Sequence, residues 1–304
     1  MIMEQNIKKL VLEMGPQRLR DLLIAELQRN DGIVMGTVLR TDTGEELTSF
    51  HSPFFTALVW HEVWPLLHQE FKSLYKKACR FLLETGSCEA GWHFFPDGHD
   101  YPTDSDDTAI IAHHLWTTGY LKDVSSVIRL LMANRTPNGE YYVWLVNENG
   151  HRRNNTVDPI VNVNVAAFVR LSANGAIDTG TATEDLLAQF PDIRCSGYYD
   201  DEIICTWLVS RWDRYHAFPG RKQRSHKFRA QLQNLIRKRI HIPLLMSAAA
   251  TYGSNRLIHT IADAVCGESP KVFIDKKPWI FRHLGRNIGY SCPLLDVAVL
   301  ARIL

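Results

Sequence analysis

Three carboxylates stand within four residues at Asp104, Asp106 and Asp107, in the segment DSDDTA. An aspartate at a helix N-cap, followed by acidic residues in the first turn, stabilises a helix by about 0.3 to 1 kcal/mol per group. Like charges this close together also resist simultaneous ionisation, so one carboxyl group can keep its proton and serve as a general acid. The segment is therefore either a helix cap alone or a cap that also holds a proton donor.

The six residues DSDDTA resemble the Asp-Xaa-Asp-Asp-Thr-Ala signature of class II terpene cyclases, a family that includes squalene–hopene cyclase and copalyl diphosphate synthase. The resemblance implies that Asp106 is the general acid that protonates an alkene or epoxide, with Asp104 and Asp107 supporting it. It also implies a fold built of α-barrel domains. Aromatic turns around Gly91 and around Gly139 are similar to that family's repeats, without the Gln of the fuller repeat.

The better-known cyclases place their pocket between two helical domains, whereas 304 residues provide the length for one. Three arrangements of the protein follow as open alternatives. The lone barrel is active by itself, it forms a homodimer, or it pairs with a partner that supplies a second helical domain.

A carbocation cyclase needs a dry pocket whose aromatic faces stabilise migrating positive charge. The candidate substrate-binding aromatic residues are Trp92, Phe94, Tyr101, Trp144, Tyr198, Tyr199 and Trp207. Aromatic residues also commonly fill protein cores, so each has a purely structural alternative. Asn162 is a further candidate in an apolar helix, where it either contacts the carboxyl cluster or a water, or satisfies a neighbouring backbone. Three- and four-residue spacing puts Asp158, Asn162 and Val165 on one stripe of this helix, and it predicts that Asn164 is turned away from that stripe.

A prenyl diphosphate substrate requires positive charge, from Arg and Lys or from a divalent metal. Residues 211–239 contain ten basic and one acidic residue, whereas residues 84–107 contain seven acidic and no basic residues. Arg153 and Arg286, each preceding an apolar helix, are predicted phosphate-binding residues, and Mg²⁺ is the predicted cofactor. A solvated charged surface is the alternative explanation for each basic position.

The elements that position these groups recur along the chain. A polar or proline-containing opening is followed by an apolar helix at six points, about 48 residues apart on average. The openings are at Pro53, Asp104, Pro159, Asp200, Pro243 and Pro293. Proline is well tolerated in a first helical turn, and aspartate is a favoured N-cap.

The six apolar helices are expected to form an inner ring, and amphipathic segments are expected to form outer helices paired with them. The amphipathic segments are residues 16–29, 67–84, 123–134, 183–190, 225–239 and 255–266. This alternation predicts an all-α, (α/α)6 toroid of about six helix pairs. The chain is expected to form a single α/α-barrel domain over residues 1–304. Residues 1–50 would form N-terminal helices packed on it, with a small β-hairpin within residues 32–48.

Composition excludes several classes of protein. The net charge of +1 and the 45% hydrophobic content predict a globular protein that is drawn by no global field to nucleic acid or to an anionic membrane. Apolar runs are shorter than the roughly 20 residues of a membrane span. Six cysteines without a CxxC pair predict a cytoplasmic protein with reduced thiols. Dinucleotide, P-loop, zinc-protease and serine-hydrolase motifs do not occur in the sequence.

These patterns favour a class II-type cyclase that protonates a linear C15 or C20 prenyl diphosphate through Asp106. The first alternative is an (α/α)6 glycan-active hydrolase that pairs Asp106 with Asp201 or Glu202 as its two carboxylates. The second is a noncatalytic isoprenoid-binding barrel, or one subunit of a two-chain cyclase.

Overall fold

The computed structural model describes residues 16–67, 69–96, 102–145, 155–175, 177, 181–190, 196–199, 201–238, 242–252, 261, 281–282 and 288–303. The chain is mostly helical and divides into two compact units. The central unit comprises residues 29–35 and 50–189, and the terminal unit comprises residues 1–28, 36–49 and 190–304. Among the described helices, none is long and apolar enough to cross a membrane.

The described helices are α1 (Pro16–Arg29), α2 (Pro53–Leu67), α3 (Lys72–Glu84), α4 (Ser105–Thr117), α5 (Ser125–Ala133), α6 (Pro159–Ser172), α7 (Thr181–Gln189), α8 (Glu202–Asp213), α9 (Arg221–Lys238), α10 (Ile242–Tyr252) and α11 (Pro293–Ile303). The described strands are β1 (Met35–Arg40), β2 (Glu46–His51), β3 (Gly86–Ser87), β4 (Gly91–Trp92), β5 (Phe281–Arg282) and β6 (Ile288–Ser291).

Local chemistry at the helix starts explains why the openings were predictable. Helices α2, α6 and α11 begin at the expected prolines, and α4 begins directly after Asp104. Helix α10 begins at Ile242, one residue before its proline. The fourth opening was predicted one residue too early, because Asp201 rather than Asp200 is the N-cap and accepts a hydrogen bond from the Ile203 N–H at 2.7 Å.

In the central unit, the apolar helices α2, α4 and α6 pack side by side, with α4 in the middle. The amphipathic helices α3, α5 and α7 pack on α2, α4 and α6 respectively. Every residue of α4 from Ser105 to Leu115 is buried, so this helix has no solvated face. The expected pairing of an apolar helix with an amphipathic one is therefore present within this unit.

In the terminal unit, α10 packs against α8, α9 and α11. A buried polar network joins three of these helices. Asp213 at the end of α8 accepts hydrogen bonds from the Arg224 guanidinium of α9, and at 2.6 Å from the Tyr252 hydroxyl of α10. Burial opposes the charged guanidinium, but the hydrogen bonds and charge of Asp213 outweigh it and raise the pKa of Arg224. The predicted helix at 255–266 lies outside the described residues, apart from position 261.

A small antiparallel sheet corrects the all-α prediction. Its strand order is β2-β1-β6-β5, so the expected N-terminal hairpin is present and is extended by two strands near the C-terminus. Val38 of β1 lies opposite Tyr290 of β6, which in turn lies opposite Phe281 of β5. Strands β5 and β6 have two and four residues, too few to show a period-two pattern in the sequence.

A second ribbon, β3 with β4, supports the start of α4 from the central unit. Gly91 adopts φ +81°, and a Cβ there would lie 2.5 Å from Leu145 Cδ1 and 2.6 Å from Thr108 Oγ1. The Leu145 methyl group can turn away, but Thr108 Oγ1 is held because it accepts a hydrogen bond from the Trp92 N–H at 2.9 Å. Only glycine satisfies both the backbone conformation and the close approach.

We predict that Gly91→Ala lowers the free energy of unfolding by about 1 to 3 kcal/mol more than Gly44→Ala does. Gly44 is a matched control because it has φ +71° and a Cβ added there would meet no atom within 4 Å. Both variants carry the left-handed backbone cost of about 1 to 2 kcal/mol, and only Gly91→Ala adds the steric clash. Chemical denaturation of the two variants measures the difference, and equal losses would contradict the close approach.

Candidate active site

The acidic segment forms the N-terminus of α4, and Asp104 is its N-cap. Its extended backbone (φ −112°, ψ 139°) lets the side chain accept hydrogen bonds from the N–H groups of Asp106 and Asp107, at 2.6 and 3.2 Å. These amides have no partner within the helix, so the carboxylate accepts hydrogen bonds from two donors that would otherwise be unpaired. The capping interpretation of Asp104 is confirmed, and it leaves the chemical role of Asp106 and Asp107 open.

Extended segments fix the backbone on both sides of this N-terminus. The Asp104 N–H donates to the Trp92 carbonyl at 3.1 Å, and the Ser105 N–H donates to the Val143 carbonyl at 2.8 Å. The Leu145 N–H donates to the Thr103 carbonyl at 2.9 Å. The two tryptophan-bearing turns that the sequence singled out, around Trp92 and Trp144, therefore flank the acidic segment directly.

Asp106 is buried, with 4% of its surface exposed. Its Oδ1 atom accepts a hydrogen bond at 2.7 Å from the Nδ2 atom of Asn164, which lies on the neighbouring helix α6. Asn162 contacts the Tyr141 backbone instead, so the two asparagines meet different segments, in keeping with the prediction that Asn164 is turned away from the stripe of Asn162. The amide that meets the carboxyl cluster is that of Asn164, because α6 is buried on the sides of both asparagines. A buried amide donor aimed at a buried carboxyl is a fixed, specific contact.

Asp107 is buried to the same degree, with 4% exposure. Within the described part of the chain, its Oδ2 atom has no hydrogen-bond partner. Burial, and then the charges of Asp104 and Asp106, raise the pKa of Asp107 well above its usual range. A carboxyl group in this setting retains its proton because ionisation would place an unsolvated charge beside two others.

Asp104 is subject to the same effects in part. Asp104 is half-buried, and burial and the charge of Asp106 raise its pKa well above the usual range, although the two backbone hydrogen bonds oppose this. Asp158, the N-cap of α6, adds a smaller repulsion. Asp104 and Asp107 therefore each bind a proton more strongly than a separate aspartate does.

The cluster is therefore suited to hold and deliver a proton in a site that water enters poorly. It is poorly suited to bind a metal, because metal ligands must be deprotonated. Among the described residues, no group of three or more His, Cys, Asp or Glu side chains is arranged to hold a metal ion.

Two of the predicted substrate-binding residues near the cluster have structural contacts. The Trp92 side chain is fully enclosed, and its Nε1 donates to the Leu82 carbonyl at 2.6 Å. Asn162 accepts from the Tyr141 N–H at 2.6 Å and donates to the carbonyls of Tyr141 and Asp158, both at 2.9 Å. The alternative in which Asn162 satisfies a neighbouring backbone therefore describes its contacts.

Phe94 and Trp144 are half-buried in the same unit. Phe94 is part of an aromatic group in which its ring centroid lies 5.0 to 6.0 Å from those of four other rings, Phe50, Phe54, Phe55 and Phe95. The backbone of Trp144 is held by the Asn155 side chain, whose Nδ2 donates to the Trp144 carbonyl at 2.6 Å. These two side chains are the described candidates for contact with an apolar molecule near α4.

The remaining predicted residues lie elsewhere. Tyr198, Tyr199 and Trp207 belong to the terminal unit, as do Asp201 and Glu202 of the hydrolase alternative. Tyr199 and Trp207 are buried and Tyr198 is half-buried. Tyr101, Arg153 and Arg286 lie outside the described residues.

Sequence reasoning missed two residues of this site. Asn164 is one. The sequence signal for it was a second asparagine in an apolar helix, since a buried amide without a polar face around it needs a hydrogen-bond partner on another element. Thr108 is the other, since its hydroxyl anchors the Trp92 turn to α4. The threonine of DSDDTA thus has a structural function at its own position.

We predict that Asp107→Asn makes the protein more resistant to unfolding as the pH rises. A raised folded-state pKa means that the folded protein binds a proton that the unfolded chain has released, so stability falls as the pH increases from about 4 towards the folded pKa. One such proton contributes a slope of at most about 1.4 kcal/mol per pH unit. Asparagine removes the titration, so urea denaturation at several pH values should show a shallower decline.

Asp123→Asn is the control with the opposite sign. Hydrogen bonds from Ser125 hold the pKa of Asp123 below its usual range, so its contribution is present above the unfolded pKa and is lost in acid. That variant should not gain stability at high pH. Parallel pH profiles for Asp107→Asn and the native protein would show that Asp107 ionises freely.

Comparison with known proteins adds information on the fold. No protein family model matches the chain, and no curated protein does. A crystal structure of a protein from Actinoplanes is similar over 95% of this chain and 98% of that chain, with a TM-score of 0.64 and 15% sequence identity. At this identity, the similarity indicates a shared fold and carries no information about activity.

Proposed function

We propose that the protein is a class II-type terpene cyclase that starts the cyclisation of a linear C15 or C20 prenyl diphosphate by protonation, with Asp106 as the general acid. One observation carries the proposal. The middle carboxyl of DSDDTA is buried, is contacted by an amide from the next helix, and lies between two carboxyls that resist ionisation. Burial opposes ionisation of this carboxyl, so it keeps its proton until an alkene accepts it, and the amide stabilises the carboxylate that the transfer leaves.

The hydrogen bond from Asn164 assigns the oxygens of Asp106. Because Nδ2 of Asn164 donates to Oδ1, that oxygen acts as the acceptor, and the transferable proton resides on Oδ2. Proton transfer breaks the O–H bond at Oδ2 and forms a C–H bond at the terminal alkene carbon. It leaves a carboxylate on Asp106 and a tertiary carbocation, which the remaining double bonds attack to close rings. Asn164 then stabilises the carboxylate, so it is a positioning residue for the acid.

Asp104 and Asp107 support this step through their protons. If both were ionised, Asp106 would lose its proton into a site that already held two negative charges. Burial, the largest cause of the raised pKa of both neighbours, keeps their protons in place before Asp106 is charged, so the carboxylate formed at Asp106 is the first charge in the cluster. A water or an Asn- or His-bound base ends the cascade by removing a proton from the final cation.

The toroidal arrangement belongs to this proposal. Its support is the alternation of apolar and amphipathic helices, together with the side-by-side packing of α2, α4 and α6 in one unit and the packing of α10 between α8 and α11 in the other. In such a ring, Phe94 and Trp144 near the start of α4 would provide π-faces for the cation. A homodimer or a second helical-domain partner remains an alternative to a barrel that acts alone.

The diphosphate is assigned to positively charged groups, with Arg153 and Arg286 as the proposed ligands. The described carboxyl cluster does not fit Mg²⁺, because Asp104 and Asp107 retain protons and one oxygen of Asp106 accepts a hydrogen bond from Asn164. If magnesium takes part, it accompanies the diphosphate of the substrate. No step of the proton transfer depends on it.

The experiment that tests the function is incubation with farnesyl and geranylgeranyl diphosphates, with magnesium or with a chelator, followed by phosphatase treatment and mass spectrometry. A cyclic product from either substrate supports the proposal, and loss of product with chelator assigns a role to magnesium. Linear alcohols alone, also after screening for a partner chain, would overturn it. Release of sugar from glycans would favour the hydrolase alternative.

We predict that Asp106→Asn lowers turnover by at least about 100-fold, since asparagine keeps the shape of the side chain but has no acidic proton. Asp104→Asn is the control, because an amide oxygen preserves the cap and the variant should lose less activity. Circular dichroism and the midpoint of thermal unfolding establish that both variants fold. A folded Asp106→Asn protein that cyclises at the native rate would reduce DSDDTA to a helix cap.

We predict that Asn164→Leu lowers kcat by about 10-fold or more, as expected for loss of a hydrogen bond to a charged group. It should also move the alkaline decline of kcat to higher pH. A donor to a carboxylate favours the ionised form, so without it the carboxyl keeps its proton longer.

Asn162→Leu on the same helix is the matched control. It removes three backbone contacts and should lower the free energy of unfolding, while the pH profile of the remaining activity stays in place. A profile that moves equally in both variants would mean that Asn164 acts only through the packing of α6.

A further inference from the structure

Helix α9 (Arg221–Lys238) has an unbalanced charge. It contains seven Lys and Arg residues and no Asp or Glu in 18 positions. The whole chain carries 34 basic and 33 acidic residues. A helix of this length with average composition would carry about two of each sign, so the excess belongs to this element and not to the protein as a whole.

Three of the seven cations have partners inside the terminal unit. Arg224 is buried against Asp213. Arg221 donates to the Thr251 carbonyl at 2.8 Å, and Arg229 donates to the Tyr252 carbonyl at 3.0 Å. Both carbonyls lie at the C-terminus of α10, where the helix dipole favours positive charge. These contacts explain part of the basic composition.

Other described cations of the helix lie at its solvent-exposed side. Lys222, Lys227 and Arg237 are exposed. Arg229 is exposed as well, although its guanidinium donates to the Tyr252 carbonyl. The opposite side of the helix is fixed, because Phe228, Leu232 and Leu235 are buried. The orientation of α9 is therefore set by its apolar face, and the cations extend over about 22 Å along the other face. We refer to Lys222, Lys227, Arg229 and Arg237 as the cationic face.

Two neighbouring features bear on what the cationic face contacts. Helix α10, on which α9 packs, has no acidic residue to neutralise it. The turn that leads into α9 exposes Tyr215, with 38% of its surface accessible. Exposed tyrosines and clustered lysine and arginine residues both occur in segments that lie at a membrane surface, where the ring sits at the level of the headgroups.

We propose that the cationic face of α9 docks the protein on the surface of a membrane rich in anionic lipid. Clusters of four to eight Lys and Arg residues on an amphipathic helix bind anionic headgroups, and each residue strengthens the attraction. A nucleic acid fits less well, because domains that bind it through Lys and Arg clustered along a helix have a pI above about 9. This chain has a net charge of +1 and a pI near 7.7. The inference is independent of the proposed cyclase activity.

The test is cosedimentation with vesicles of phosphatidylcholine alone and of phosphatidylcholine mixed with phosphatidylserine, at low and high ionic strength. The native protein should bind the mixed vesicles and be released by salt. Lys222→Glu combined with Arg237→Glu should weaken this binding by at least about 10-fold, since each basic residue removed weakens the attraction several-fold. Both side chains are exposed, so the double variant should keep the native circular dichroism spectrum and unfolding midpoint.

The matched control is Lys72→Glu combined with Lys76→Glu on α3, which changes the net charge by the same amount at exposed positions of the other unit. The control should bind the mixed vesicles as the native protein does. An equal loss in both double variants would assign the binding to net charge and overturn the proposal. So would absence of binding to the mixed vesicles.

A third arm distinguishes lipid from nucleic acid. Tyr215→Ser should weaken vesicle binding, because an interfacial ring is lost, with no effect on attraction to a polyanion that has no apolar boundary. Binding of duplex DNA or RNA that equals vesicle binding, with no effect of Tyr215→Ser on either, would make the cationic face a nucleic-acid surface and overturn the assignment to lipid.

Discussion

The burial of α4 on every side is the constraint on which the rest of the site depends. A helix with no solvated face must satisfy its first amides inside the protein, and Asp104 does this for two of them. The same burial removes water from Asp106 and Asp107, and at Asp107 it raises the pKa so that this carboxyl keeps its proton. One structural condition thus produces both the capped helix start and the acidic environment, and the two interpretations of DSDDTA are consequences of a single cause.

The neighbouring elements are shaped by the need to enclose that helix start. Helix α6 brings Asn164 to Asp106, and its other amide, Asn162, fastens the Tyr141 segment to the same helix. The extended residues around Trp92 and Val143 supply backbone carbonyls to Asp104 and Ser105. The contacts of Asn164, Trp92 and Val143 each join a different stretch of the central unit to the start of α4, so the geometry of the cluster is fixed from several directions.

The sequence predicted the helix starts well because they depend on local chemistry. Proline in a first turn and aspartate at an N-cap act within three residues, which is why α2, α4, α6 and α11 begin where expected. The contacts of Asn164 and the pairing of β1 with β6 depend on which distant segments meet, and local patterns carry no such information. Helical spacing separated Asn164 from Asn162 but did not show which of them meets Asp106, because a helix that is apolar all round has no preferred face. The roles of the aromatic residues were hard to assign for the same reason, since Trp92 in the core and half-buried Phe94 have the same residue chemistry.

The hydrogen bond from the Trp92 N–H to Thr108 Oγ1 has a consequence for protein engineering. The threonine of DSDDTA is matched to a glycine–tryptophan turn that lies outside the hexapeptide, and the central aspartate is matched to an amide on another helix. Transplanting the six letters onto the start of a helix in an unrelated scaffold would transfer the cap and little else. A functional graft would need the turn, the adjoining helix with its asparagine, and enough surrounding core to keep water out. The smallest part of the protein that could carry this site is therefore a set of segments packed together in three dimensions, of which the hexapeptide is one.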